Sequence, residues 1–132
     1  MQLSDFQPEN EVEFAVVDTK NGVRTIDELI DIVADADLYI SSKAEVQRDW
    51  SGFDPLLLEE SGNPLVAAFS SPSRPSLHRD MAEYILQIKG REFLLRLPPR
   101  YGVVLNPGYI TQLIISPTAL SDLKNYLQTK RG

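Results

Sequence analysis

The chain of 132 residues has no cysteine and a single histidine, His78. The first absence removes disulfides, thiolate metal sites and cysteine nucleophiles together, and it fits a protein that stays in the reducing cytoplasm. The second rules out any multi-histidine metal cluster and leaves one imidazole for proton transfer. Long apolar runs are missing as well. No stretch approaches the roughly 18 apolar residues of a membrane span, and Met1-Gln2-Leu3-Ser4-Asp5 lacks the basic and then apolar pattern of a signal peptide. The seven glycines form neither a Gly-x-Gly-x-x-Gly nor a Walker-type loop, so nothing supports a nucleotide cradle. Bases are outnumbered, and a net charge of −6 argues against general nucleic-acid binding, which draws its non-specific affinity from phosphate neutralisation.

What remains is the composition of an ordinary globular domain, with 42% hydrophobic and 24% charged residues in a length that buries a core without staples. The charge is unevenly placed. Residues 1–62 hold 15 acids against 4 bases, a net −11, and residues 63–132 hold 4 against 9, a net +5. The two halves are expected to offset one another by packing together, although the basic half is also suited to a local anion.

Periodicity gives one α+β domain over residues 1–132 with its core at about 10–128. Asn10 is placed to cap a helix from Glu11 to about Thr19, with Val12, Ala15 and Val16 inward and Asn21-Gly22 as its stop. Thr25 and Glu28 form a capping box for a helix at about 26–36. Its stripe is Ile26, Leu29, Ile30 and Val33, with Asp27, Asp31 and Asp35 facing away. Strands are expected at Leu38–Ile40, Leu56–Glu59, Leu65–Phe69, Tyr84–Ile88, Gly102–Leu105 and Gln112–Ile115, the second and third joined as an antiparallel hairpin. Residues 41–55 read as a long loop. Pro75 opens a short helix through about Met81, Phe93, Leu94 and Leu97 mark another that Pro98-Pro99 ends, and Pro117 opens a last one cored by Leu120, Leu123 and Leu127. Asn106-Pro107-Gly108 fits a type II turn. The sum is a mixed, largely antiparallel sheet of about five or six strands with flanking helices, and the link between residues 88 and 103 allows one parallel pair.

The segment Tyr101-Gly102-Val103-Val104-Leu105-Asn106-Pro107-Gly108, preceded by Gly90-Arg91-Glu92-Phe93-Leu94 and Pro98-Pro99, resembles the N-terminal domain of the bacterial SseB family, the enhanced serine sensitivity proteins. The likeness runs from about residue 10 to 128. It includes two early helices, the apolar Leu56-Leu57-Leu58, a Gly-Asn-Pro link and the strand end Ala68-Phe69-Ser70-Ser71. The resemblance brings no catalytic residues and implies the first module of a family some of whose members continue into a second domain.

Four constellations carry chemistry. Ser76-Leu77-His78-Arg79-Asp80, with Ser71 nearby, has the residue types of a hydrolase, but neighbours on one turn do not align a nucleophile, base and orienter. Asp27, Glu28, Asp31 and Asp35 have the spacing of a carboxylate face, which the solvated side of an amphipathic helix accounts for. Trp50 and Phe53, large aromatics in a polar loop, are either tucked beneath it or offered to a partner protein as anchors. Arg91, Arg96, Arg100, Tyr101, Asn106 and Gly108 cluster around two turns that bring guanidinium and N–H groups to one anion; otherwise Asn106 caps its own turn and the arginines balance the acidic half. The expected function is a non-catalytic protein-interaction or regulatory module without metal or cofactor, with partner residues Trp50 and Phe53. The alternative is a sensor of an amino acid or other small anion at Arg96, Arg100, Tyr101, Asn106 and Gly108, and a Ser/His hydrolase is a distant third.

Overall fold

The computed structural model describes residues 7–47, 51–60, 62–109 and 112–130. Asn10 stands in extended backbone and its side chain accepts the Glu13 N–H, so α1 (Glu11–Lys20) starts at its cap. The capping box of α2 (Ile26–Asp35) is complete, with Thr25 Oγ1 accepting the Glu28 N–H and Glu28 Oε1 accepting the Thr25 N–H in return. Leu29, Ile30 and Val33 are buried, but Ile26, expected on the same stripe, is 37% exposed. In the first turn its Cβ leans back toward the helix start, away from the layer the later turns cover.

The remaining elements are β1 (Asp37–Ser42), β2 (Leu57–Glu60), β3 (Asn63–Phe69), β4 (Tyr84–Lys89), α3 (Gly90–Arg96), β5 (Gly102–Leu105), β6 (Leu113–Ile115) and α4 (Pro117–Lys130). The sheet order is β4-β1-β3-β5-β6. β2 and β1 share one edge of β3 end to end, β2 pairing with its first half and β1 with its second, while β5 takes the other edge. Among the described residues four pairings are antiparallel and one, β3 with β5, is parallel, so the domain is α+β around a mixed, largely antiparallel sheet. The link between residues 88 and 103 carries the chain from the edge strand β4 past β1 and β3, which places β5 beside β3.

Two further differences from the sequence reading have local causes. Ser41 and Ser42, assigned to a loop by their polarity, are fully buried strand residues that pair with Ile85 and Tyr84 of β4. The helix expected through Met81 is a 3-10 helix over Arg74–His78, opened by a proline whose missing N–H costs nothing at that position. The loop beyond β1 is tied at its base: Lys43 N–H donates to the Asp54 carbonyl at 2.7 Å, and Ser42 Oγ accepts the Asp54 N–H at 3.1 Å.

Successive residues of β3 serve two cores, as the period of two in a strand demands. Val66 and Ala68 join the large cluster under the four α-helices, with Leu38, Ile40, Phe93, Leu105 and Leu120; Leu65, Ala67 and Phe69 join a smaller one with Leu56, Ala82, Val104 and Tyr109. A strand buried on both faces reads as a continuous apolar run, which is how Leu65–Phe69 reads.

Gly90 sets how closely α3 approaches α2. Its N–H donates to the Ala36 carbonyl at 2.8 Å, and a Cβ there would stand 2.0 Å from the Val33 carbonyl oxygen. Gly90→Ala is expected to lower stability by about 3 kcal/mol through overpacking. Gly22→Ala, which meets open space and suffers only from its φ of +77°, should lose about 1 kcal/mol. Urea midpoints at unchanged m-value check the ranking.

Candidate functional site

The two ends of β5 are chemically different places. Because Ala68 lies opposite Leu105 in the parallel pair, β3 and β5 finish side by side, and the Asn106 N–H donates to the Ala68 carbonyl at 2.8 Å. A buried polar hub grows from this point. Asn106 Oδ1 accepts the Ser70 N–H at 3.1 Å while its Nδ2 donates to Ser70 Oγ at 2.9 Å. Ser70 Oγ donates in turn to Glu13 Oε2 at 2.6 Å. Glu13 reaches in from the first turn of α1 and meets Arg74 in a two-armed pair, Nε to Oε2 at 3.1 Å and Nη2 to Oε1 at 2.7 Å. Asn10 Nδ2 donates to the Ser70 carbonyl, and Tyr109 donates its hydroxyl to the Arg74 carbonyl while its ring lies 5.2 Å from the guanidinium carbon.

Burial pushes the Glu13 carboxyl up. The hydrogen bonds from Arg74, Ser70 and the Glu9 N–H, with the Arg74 charge, more than reverse this and leave it below its ordinary value. Arg74 is raised by its hydrogen bond to Glu13, against the effect of burial. Asn106 is fully buried and has a φ of +53°; Gly108 has +86° and the Tyr109 N–H closes onto the Asn106 carbonyl at 3.2 Å, the geometry of the type II turn. The Asn106 side chain does not cap that turn, because Ser70 of the neighbouring strand holds it. His78 Nε2 lies 2.7 Å from the Pro107 carbonyl and so carries its proton there, while Ser76 Oγ donates to the Ser73 carbonyl and Ser71 Oγ to Glu9. These residues lock strand ends together.

At the other end of β5 the structure brings together residues that were assigned to separate sites. Phe53, expected as a partner anchor, and Arg96, Arg100 and Tyr101, expected around an anion, line one groove of about 560 Å³ with Val66, Phe93 and Leu97. Its floor is apolar and both charged side chains are cationic. Arg96 pairs with Glu92 at 3.0 Å one turn back on α3, in an exposed bridge. Arg100 donates to the Tyr101 hydroxyl at 3.0 Å with its guanidinium carbon 4.8 Å from the ring centroid, so the ring orients the cation. Asn106 and Gly108 lie beyond the four residues of β5, roughly 13 Å away at about 3.3 Å per residue, and do not share this groove.

Three of the other candidates have structural partners. Arg91 donates to the Leu127 carbonyl of α4, Glu28 serves the capping box, and Asp31 accepts the Tyr126 hydroxyl at 2.8 Å. Among the described residues no group of three or more His, Cys, Asp or Glu is arranged to hold a metal. Trp50 lies outside the described residues. The sequence reading missed Glu13 and Arg74. The available signal was an acid three and four residues before Val16 and Val17, on the inward side of α1.

Removing one partner of the buried pair leaves the other uncompensated. Glu13→Ala is expected to lose about 3–5 kcal/mol, and the double replacement Glu13→Leu/Arg74→Leu much less than the sum of the single losses. Since the folded Glu13 titrates below its ordinary 4.5, its contribution is present above that pH and disappears as pH falls through the folded value. Urea titrations from neutral to acid pH should therefore show a steeper loss for the native chain than for Glu13→Gln.

No helix among the described residues is long and apolar enough to cross a membrane. No protein-family profile, curated protein or solved structure matches this chain.

Proposed function

We propose that this chain is a non-catalytic protein-interaction module whose groove takes an acidic segment of another protein, with an apolar side chain on Phe53 and Pro55 and a carboxylate at Arg96 and Arg100. One observation carries this reading: the aromatic anchor and the two cations line the same groove. Aromatic and apolar surface supplies affinity in such a site, and the guanidinium pair selects the sign of the ligand. The Glu92–Arg96 bridge is exposed and worth only about 0.5 kcal/mol.

The volume also suits a small amphipathic anion, since small-molecule sites run from about 300 to 1,000 Å³. That is the second reading, and it moves the anion site from the Asn-Pro-Gly turn to the groove, because Asn106 is buried. The proposal extends to an SseB-like N-terminal module in the cytoplasm, on the support of the Gly102–Gly108 element and the absence of cysteine.

Panning a random peptide library on the purified chain is expected to enrich peptides with Asp or Glu close to an aromatic or Leu. Arg96→Glu/Arg100→Glu should weaken the selected peptides at least about tenfold with an unchanged melting temperature, and Phe53→Ala similarly, with a lowered one because its ring also packs against the core. Enrichment indifferent to all three positions would sink the reading. Stabilisation by aromatic carboxylic acids, lost in the same variants, with no peptide enriched, would replace it with the small-anion sensor.

A further inference from the structure

The sheet has two different edges. β6 offers only Leu113–Ile115 before Pro117 opens α4, whereas β4 runs six residues with neither proline nor glycine. Among the described residues no strand pairs with the outer side of β4. A strand of this length exposes a row of N–H and C=O groups, the feature that proteins usually blunt with proline, bulges or inward charge. Here the charges stand only at its ends, Glu83 just before the strand and Lys89 as its last residue. Between them Tyr84 is 38% and Ile85 48% exposed, with Met81 50% exposed nearby.

We propose that β4 is the seam of a two-fold dimer, pairing antiparallel with β4 of a second copy of this chain about an axis through Leu86. The register follows from the residues. An antiparallel pair must match alternate residues to the same face, and a slip of one residue would turn the apolar side chains of the two copies to opposite faces. Of the registers that satisfy this, the one centred on Leu86 sets Glu83 opposite the Lys89 of the second copy, twice by symmetry. It also sets Tyr84 opposite Ile88 and Ile85 opposite Gln87. Opposite charges and an aromatic facing a β-branched residue are both favourable cross-strand pairs. A register moved by two residues in either direction loses the two charge pairs. The seam is short, as in interfaces below about 1,200 Å², so the dimer is a weak, exchanging one.

The test is sedimentation equilibrium of the full chain from micromolar to millimolar concentration. The native chain is expected to dimerise reversibly. Glu83→Lys sets lysines against lysines and Lys89→Glu sets glutamates against glutamates, and each should raise the dimer dissociation constant by about tenfold. The double variant Glu83→Lys/Lys89→Glu, and an equimolar mixture of the two single variants, should both return to within about threefold of native, because opposite charges face each other again. Lys89 also pairs with Asp37 at 3.4 Å, but both side chains are exposed, so losing that contact leaves the fold intact. As a second readout, Leu86→Cys, the only thiol in such a chain, should oxidise to a covalent dimer, whereas Ile85→Cys, which faces Gln87, should not. A native chain that stays monomeric to millimolar concentration overturns the proposal. So does a dimer indifferent to the charge swaps, and so does cross-linking that is equal at positions 85 and 86.

Discussion

The architecture depends on one buried ion pair. Glu13 is fully buried and the Arg74 side chain is 11% exposed, so both ions have lost most of their water. Their attraction repays that loss only when geometry is good and the remaining lone pairs are satisfied. Both conditions hold, because Ser70 and the Glu9 N–H supply the remaining donors to the carboxylate. The pair therefore fixes an arrangement. Glu13 is in bonding distance only if α1 lies with its first turn over the ends of β3 and β5, and Arg74 only if the 3-10 helix turns back toward the same point. Apolar replacements of the same volume could hold the parts together without selecting this one arrangement of them.

The charge asymmetry of the sequence is met in part at the same place. The acidic first half and basic second half meet across the Glu13–Arg74 and Glu9–Arg74 pairs and, at the sheet edge, across Asp37–Lys89. Arg24–Asp18 and Arg96–Glu92 stay within one half. The offset between halves is thus local and partly buried. Arg96 and Arg100 lie away from these meeting points, at the groove.

How much was legible in the sequence follows from how local each signal is. The Asn10 cap, the Thr25–Glu28 box, the stripes of α3 and α4, and the turn at Asn106-Pro107-Gly108 each sit within a few residues and stand as read. The β2–β3 hairpin is equally local, its strands pairing from Glu60 opposite Asn63. The hub joins residues about sixty positions apart, and no spacing rule connects an acid in α1 with an arginine after β3. The same limit hid the buried serines of β1, whose polarity reads as loop until β4 is laid beside them. It also joined Arg100 to Asn106, six positions apart in sequence but divided by the length of β5, and parted Phe53 from Arg96, which the fold makes neighbours.

That division of β5 bears on how the domain can work. Its carboxyl end is bound to β3 and α1 through the hub, and its start is packed so closely that a Cβ on Gly102 would stand 2.4 Å from the Ile115 carbonyl oxygen. The strand is therefore fixed at both ends. The groove beyond it sets Phe53, Pro55, Pro98, Arg100 and Tyr101, from connecting segments, against Val66 of β3 and Phe93, Arg96 and Leu97 of α3. β4 is separated from β3, the strand that contributes Val66 to the groove, by β1. A seam at β4 would leave both grooves of a dimer open. Two such grooves joined by the seam would bind a partner carrying two acidic segments far more tightly than one groove would, because the second engagement is intramolecular. Low affinity in each groove and a weak dimer would then be compatible with tight assembly, and assembly would track the concentration of the chain itself.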